Sequence, residues 1–250
     1  MAFSDVWSER AQSFRAGQKG ELDIAYGDHP RERLDLFLPE SRPKGLVVIV
    51  HGGYWLASDK SSWSNLAAGP LALGWAVALP SYSLAPDASL PHITKQIGRA
   101  VCKAAEIVPG PIRLTGHSAG GHLVTRMVCD TSPLPDPITA RIDRVVSISG
   151  LHDLRPLLLH SMNKKLKLTV DEAVSESAAL CMPRPGVDVT AWVGANERPE
   201  LLRQSACLTE AWRKVGTSVR LVAEPAKHHF DVIDGLIHPN HPLCQTLAGE

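Results

Sequence analysis

Short apolar runs that alternate with longer helical segments are the feature of this sequence that most restricts its fold. From Leu46 onward, runs rich in β-branched residues are separated by stretches in which apolar residues recur every three or four positions. This alternation is typical of βα units wound on a parallel sheet. The predicted parallel strands are residues 46–50, 75–79, 112–115, 145–149, 189–193 and 219–223.

Segments before and between these strands complete the predicted architecture. Apolar residues alternate with others over residues 34–38, and residues 22–26 are weakly extended, which predicts an antiparallel hairpin ahead of the parallel strands. Residues 93–108 carry one apolar stripe and predict a helix, with Pro91 near its start. The chain of 250 residues is expected to form a single α/β domain, 1–250, with helices on both faces of the sheet.

Residues 151–185 interrupt the alternation. They contain a basic stretch, Lys164, Lys165 and Lys167, followed by a polar helical patch. Long insertions of this kind often cover an active site, so a cap is one interpretation. An ordinary crossover helix with a solvated basic face is the other, and the sequence leaves both open.

Composition restricts the partners and the compartment. Lys plus Arg (26) equals Asp plus Glu (26), so no global field would recruit nucleic acid or an anionic membrane, and a small-molecule substrate is the expected partner. The five cysteines are scattered and never spaced as CxxC, which predicts free thiols. With neither a signal peptide nor a membrane-spanning apolar run, we expect a cytoplasmic, soluble protein; a homodimer stays open.

One motif carries the predicted chemistry. The strand at residues 112–115 leads directly into Gly116-His117-Ser118-Ala119-Gly120, and a helix-compatible segment follows. This is G-x-S-x-G in its required context of strand, sharp turn and helix, which exposes the serine Oγ at the edge of the sheet. A glycine-rich turn without chemistry is the alternative interpretation. The sequence predicts Ser118 as a nucleophile.

A second motif, HGGYW at residues 51–55, argues against a glycine-rich turn without chemistry at Ser118. It directly follows the strand at residues 46–50, where an oxyanion loop of the HGG type is expected. We predict that the backbone N–H of Ala119 and that of Gly52, Gly53 or both stabilise the oxyanion of a tetrahedral intermediate. His51 is expected to anchor the loop.

The serine requires a base and an acid, which follow it along the chain in the order acid, then histidine. His228 and His229 come shortly after the strand at residues 219–223, and one of them is the predicted base. Glu197 follows the strand at residues 189–193 and is the predicted acid, with Asp153 as its competitor. Asp231 and Asp234 are weaker candidates.

Across these motifs the sequence resembles the kynurenine formamidase (arylformamidase) branch of the α/β-hydrolases, next to the hormone-sensitive-lipase-like esterases. The matching pieces are residues 26–27, 34–39, 51–55 with 59–60, 82–86, 116–122, 149–150 with 153–154, 197 with 204–205, and 229–231. The resemblance implies an α/β-hydrolase fold with Ser118 as nucleophile, His229 as base and Glu197 as acid. Typical formamidases carry aspartate at the acid position, so Glu197 is a departure. An H-x-F pattern, as in some esterases, would select His228 instead.

These residues predict a serine hydrolase that works through an acyl-enzyme and needs no cofactor. The resemblance implies an N-formyl aryl amide such as N-formylkynurenine as substrate, and a small carboxylic ester is the alternative. Tyr54 and Trp55 could line a substrate pocket, although such aromatics are more often packed in the core.

A non-catalytic binding protein on the same fold is a second alternative. A metal site is not expected, because His117 and His122 would not share a helix face and no H-E-x-x-H is present.

Overall fold

The structure is a computed structural model that describes residues 3–250 of the chain. Within these residues, one eight-stranded sheet runs through the molecule. Its strands are β1 (Gly20–Ala25), β2 (Arg33–Phe37), β3 (Leu46–Val50), β4 (Ala76–Pro80), β5 (Ile112–His117), β6 (Ile142–Ile148), β7 (Asp188–Gly194) and β8 (Val219–Glu224).

The sheet has the order β1-β2-β4-β3-β5-β6-β7-β8. Strands β1 and β2 form an antiparallel hairpin, and β2 also pairs antiparallel with β4. The remaining neighbours are parallel. The predicted sheet, mostly parallel with an N-terminal antiparallel hairpin, is therefore confirmed. The carboxyl ends of β5, β7 and β8 lie at one edge, which is where the predicted site residues follow.

The predicted strands differ from the observed ones only at their ends. Strand β6 begins at Ile142, three residues before its predicted start. The prediction missed this start because Asp143 and Arg144 interrupt the apolar run there. Strands β3, β4 and β5 are buried along their whole length, which explains their continuous apolar runs.

Helices of very different length surround the sheet. They are α1 (Phe3–Gly17), α2 (Ala68–Ala72), α3 (Leu90–Ile107), α4 (Ala119–Arg126), α5 (Asp136–Thr139), α6 (Asn163–Leu166), α7 (Val170–Ser175), α8 (Pro199–Lys214) and α9 (Pro242–Ala248). Short 3₁₀ segments occupy Lys60–Ser62, Ser64–Ala67, Arg155–Leu159, Ala178–Leu180 and Val232–Ile237. The predicted helix at residues 93–108 corresponds to α3, with Pro91 in its first turn. No helix among the described residues is both long and apolar enough to cross a bilayer.

Two apolar clusters form the core, one on each face of the sheet. Alternate residues of β3 supply both of them, since side chains along a strand point to opposite faces. Leu46, Val48 and Val50 belong to the larger cluster, which α3, α4 and α8 cover. Val47 and Ile49 belong to the smaller one, which α2 and α9 cover.

Residues 151–185 form a succession of short elements rather than one long crossover helix. The segment contains the turn Arg155–Leu159, then α6, α7 and the turn Ala178–Leu180. A capping box between Thr169 and Glu172 starts α7. Buried apolar residues of this segment join the larger core cluster beside α4. A capping role for the segment stays a prediction.

Candidate active site

Ser118 occupies a strained turn between β5 and α4. Its φ of +55° and ψ of −114° lie outside the regions that a serine normally adopts. The two glycines of the motif make this turn feasible: a Cβ on Gly116 would lie 2.4 Å from the carbonyl oxygen of Gly120, and one on Gly120 would lie 2.0 Å from that of Val50. Close packing of β3, β5 and α4 therefore requires glycine at both positions.

The HGGYW loop packs directly against this turn. A Cβ on Gly52 would lie 2.8 Å from the carbonyl oxygen of His117 and 3.3 Å from Cβ of Ser118. Gly53 has a φ of +112°, a conformation that favours glycine. The N–H of Ala119 belongs to the first turn of α4, where backbone N–H groups lack an acceptor within the helix. These N–H groups are suitable donors for an oxyanion formed at Ser118.

His51 holds the loop from below. Its Nδ1 donates to the carbonyl oxygen of Gly52 at 2.7 Å, and its ring stacks on Tyr82 with centroids 4.2 Å apart. The Tyr82 hydroxyl in turn donates to the carbonyl oxygen of His51 at 3.0 Å. Complete burial lowers the pKa of His51 to about 4, so the ring is neutral at pH 7. These contacts fit the anchoring role expected for His51.

His229 and Glu197 form a hydrogen-bonded pair in which the carboxylate is buried and the imidazole is partly exposed. The His229 Nδ1 donates to Oε2 of Glu197 at 2.8 Å, and the carboxylate is fully shielded from solvent. The other carboxylate oxygen accepts from the backbone N–H of Gly194 at 2.9 Å and from the hydroxyl of Ser149. Because Nδ1 carries the proton of this hydrogen bond, Nε2 of the neutral imidazole is free of a proton and can accept one. Ser118 and His229 line the same pocket.

The competing candidates are engaged elsewhere. Asp153 accepts two hydrogen bonds from the guanidinium of Arg155, at 2.8 and 2.9 Å, and this guanidinium lowers the pKa of Asp153. Asp231 accepts from the backbone N–H of His228 at 2.7 Å and lies 3.3 Å from its Nδ1. Geometry thus joins His229 to Glu197, not to Asp153.

A small pocket of about 240 Å³ opens at Ser118. It is lined by Trp7, Ser8, Gly53, Tyr54, Ala57, Ser58, Ser62, Trp63, His117, Ser118, His229 and Phe230. Four of these side chains are Trp, Tyr or Phe, and none carries a permanent charge. The ring of Trp7 lies 5.2 Å from that of Trp63 and 6.2 Å from that of Phe230. The pocket is therefore suited to a flat, apolar group.

Several of these pocket residues were not predicted. Trp7 comes from α1, which the strand and helix patterns did not reveal, and Trp63 and Phe230 were not assigned to the site. The spacing of Trp7, Ala11 and Phe14, four and then three residues apart, is the signal that could have revealed α1.

Trp55 departs from its predicted place in the pocket. It is fully buried in the larger core cluster, and its ring meets that of His122 edge-on at 5.2 Å. Tyr54 and Trp55 both have positive φ values, 57° and 58°, and this local twist turns the second side chain inward. Tyr54 lines the pocket, whereas Trp55 packs the core.

The two histidines of the serine motif have different partners. The His117 Nε2 donates to the backbone carbonyl of His229 at 2.8 Å, so His117 holds the loop that carries the candidate base. His122 instead donates from Nε2 to the carbonyl oxygen of Glu176 at 2.8 Å. Burial lowers the pKa of both rings, which keeps them neutral. The positioning contact of His117 was not predicted from the sequence.

Comparison with known proteins places this geometry in a family. The BD-FAE family model matches residues 34–181. Kynurenine formamidase from Danio rerio is 30% identical over 235 residues, which cover 90% of this chain and 80% of that protein. A crystal structure from Silicibacter sp. TM1040, provisionally named a thioesterase, is 48% identical with a TM-score of 0.94, covering 98% of this chain and 92% of that one.

A more distant structure shares only the fold. Esterase B from Lactobacillus rhamnosis is 16% identical, with a TM-score of 0.73 over 98% of this chain and 90% of its own. The family match extends over more than half of the chain and includes both the HGGYW loop and Ser118. The chain belongs to the BD-FAE family of α/β-hydrolases, is a relative of kynurenine formamidases, and is an enzyme that hydrolyses amides or esters.

Proposed function

We propose that this protein is a serine hydrolase that cleaves N-formyl aryl amides, with N-formylkynurenine as the representative substrate. The observation that carries the proposal is the aromatic pocket that Ser118 and His229 both line, with His229 hydrogen-bonded to Glu197 at 2.8 Å. The similarity to kynurenine formamidase from Danio rerio supports the choice of substrate.

In the first half of the reaction, Nε2 of His229 takes the proton of Ser118 while the serine Oγ attacks the formyl carbon. The carbonyl oxygen becomes an oxyanion, and the N–H of Ala119 with that of Gly52 or Gly53 stabilises it. Loss of one such donor typically raises the barrier by about 3 kcal/mol. Glu197 keeps the imidazole in the correct tautomer and stabilises the imidazolium that forms.

His229 then returns the proton to the nitrogen of the arylamine, the C–N bond breaks, and Ser118 is left formylated. An arylamine is a poorer leaving group than an alkoxide, so this protonation matters more for an amide than for an ester; general acid assistance is typically worth ~100-fold or more. His229 then takes a proton from water as the water attacks the formyl-enzyme. The ester bond to Ser118 breaks, His229 returns the proton to the serine Oγ, and formate is released. No step requires a cofactor.

The shape of the pocket supports an aryl leaving group. A volume of about 240 Å³ accommodates an aromatic ring together with a substituent. Trp7, Trp63 and Phe230 supply apolar faces against which such a ring can pack. A formyl group, the smallest acyl group, needs almost no acyl pocket of its own.

A small-molecule esterase or thioesterase is the second candidate, and the provisional name of the 48% identical structure favours it. Activated phenyl esters would be cleaved by either kind of enzyme, so they cannot distinguish the two. Formanilide and acetanilide form a better pair, because they share one leaving group and differ by one methyl on the acyl side.

The deciding experiment compares kcat/KM for N-formylkynurenine, formanilide, acetanilide, a short alkyl ester and an acyl thioester, with formate release measured directly. We expect the two formyl amides to exceed both the acetanilide and the alkyl ester. Efficient hydrolysis of the alkyl ester or thioester, with no formate released from either formyl amide, would leave the fold and the nucleophile in place but refute this substrate class.

A further inference from the structure

Two cysteines outside the active site approach each other beside α4. Cys129 follows the end of α4, and Cys181 follows the turn Ala178–Leu180. The backbone holds the two segments together: Cys129 and Pro183 form an antiparallel bridge, and the N–H of Asp130 donates to the carbonyl oxygen of Met182 at 2.7 Å. All five cysteines are free thiols in the described chain.

The antiparallel pairing places both thiols on the same side, because Cys181 stands two residues before Pro183, the partner of Cys129. The Cys129 thiol itself donates to the carbonyl oxygen of Thr125 at 3.4 Å. Arg126, on α4, places Nη1 3.2 Å from the sulfur of Cys181, and the Thr131 hydroxyl lies 3.9 Å away. The same sulfur also lies 3.4 Å from the carbonyl oxygen of Ser177 and 3.7 Å from that of Ser175, so Arg126 is the cationic donor that favours its thiolate.

This environment separates the acidities of the two thiols. The neighbouring Cys129 thiol, together with the charge of Arg126, lowers the pKa of Cys181 to about 6, although partial burial and Asp130 oppose the shift. The neighbouring Cys181 and burial raise the pKa of Cys129 well above its usual value. Glu176 also faces Arg126, with Oε2 3.3 Å from its Nε, and so shares the positive charge.

Solvent access also makes Cys181 the more reactive of the two thiols. Cys129 is fully buried, whereas Cys181 retains partial exposure to solvent. Burial raises the pKa values of the remaining cysteines, Cys102, Cys207 and Cys244. Cys181 is thus the thiol in this chain with both solvent access and a stabilised thiolate.

We propose that Cys129 and Cys181 form a reversible disulfide, in which Cys181 reacts with a peroxide and Cys129 resolves the product. The Cys181 thiolate attacks one peroxide oxygen, the O–O bond breaks, and the released hydroxide takes up a proton to become water. The Cys129 sulfur then attacks the sulfenic sulfur of Cys181, and the thiol proton leaves with the sulfenic hydroxyl as a second water. The peroxide is reduced and the two thiols are oxidised.

The disulfide would cross-link the end of α4 to residues 178–181. It closes a loop of about 50 residues, a length at which cross-links restrict the unfolded chain substantially. The backbone hydrogen bond between Asp130 and Met182 already holds the two segments close. Ser118 lies at the opposite end of α4, so the active site keeps its geometry. The expected result is a more stable protein of unchanged activity.

The test treats the purified protein with one equivalent of hydrogen peroxide at pH 7 and maps its disulfides by mass spectrometry without reduction. We expect a Cys129–Cys181 cross-linked peptide, a melting temperature several degrees higher that dithiothreitol reverses, and ester hydrolysis within about twofold of the reduced enzyme. Cys181→Ser and Cys129→Ser should each lose the cross-link and the shift, and Cys207→Ser, a matched control, should keep both.

Trapping of the intermediate with dimedone gives the order of events. The adduct should appear on Cys181 in the Cys129→Ser variant, and Cys129 should stay unlabelled in the Cys181→Ser variant. First modification at Cys102, Cys207 or Cys244, or peroxide treatment that leaves Cys129 and Cys181 as free thiols, would overturn the proposal. A cross-link that forms without any rise in melting temperature would overturn the stabilising role.

Discussion

Replacing Glu197 with glutamine removes the negative charge beside His229, and the structure dictates which way the new amide must point. One carboxylate oxygen accepts from the backbone N–H of Gly194, a group that can only donate. The amide oxygen must occupy that position, so the NH₂ group faces Nδ1 of His229. The imidazole then accepts at Nδ1 and carries its proton on Nε2, where it cannot accept the proton of Ser118.

The expected loss follows from this enforced tautomer. In a serine protease, the corresponding exchange of acid for amide lowers kcat about 10⁴-fold while the geometry is kept. We expect a similar loss here, equivalent to about 5.5 kcal/mol of barrier. The melting temperature should change little, because the donors from Gly194 and Ser149 keep an acceptor at the same place.

The assay measures kcat for Glu197→Gln with formanilide and with an activated phenyl ester, beside Asp153→Asn as the matched control. Asp153 bonds to Arg155 and not to His229, so its exchange should lower stability but leave kcat within about threefold. The reasoning is refuted if Glu197→Gln keeps more than a tenth of the wild-type kcat, above all if Asp153→Asn loses most of it.

Three further results are expected. His229→Ala should lower kcat by about 10⁴-fold or more and His228→Ala by less than tenfold; a reversed ranking in steady-state kinetics would make His228 the base. Ser149→Ala removes one hydrogen bond to the buried carboxylate, a contact typically worth about 1.5–3 kcal/mol, so kcat should fall about tenfold; an unchanged kcat would deny Ser149 a positioning role. Burial lowers the pKa values of three histidines to between about 3 and 4: His51, His122 and His152. Because the unfolded chain protonates them first as the pH falls below 6.5, each should lower the free energy of unfolding by about 2 kcal/mol between pH 7 and pH 5; urea titrations that show constant stability over this range would contradict this.

Most of the fold was predictable because its signals are local. The buried parallel strands are short runs of β-branched residues, and their burial on both faces is what makes them continuous. Helix α1 was not predicted, because its few apolar residues, including Trp7 and Phe14, are spread among polar and charged ones. Its position depends on packing against the turns Lys60–Ser62 and Ser64–Ala67, which no local pattern encodes.

The candidate site likewise contains residues that local motifs predict and residues that depend on tertiary packing. Ser118 and the HGG loop follow from short motifs, since tight turns need particular residues at fixed spacing. The sequence could not choose between His228 and His229, because the choice depends on how the loop after β8 turns each ring. Trp7 and Phe230 meet across nearly the whole length of the chain, and only tertiary packing brings them together.

The central claim, that Ser118 is the nucleophile, is tested most directly by labelling with a fluorophosphonate followed by intact-mass and peptide mass spectrometry. The account predicts one adduct per chain, located on Ser118, with complete loss of turnover. It also predicts that Ser118→Ala neither reacts with the probe nor turns over substrate, while its melting temperature stays close to that of the wild type. An adduct on another residue, or turnover that persists in Ser118→Ala, would contradict it.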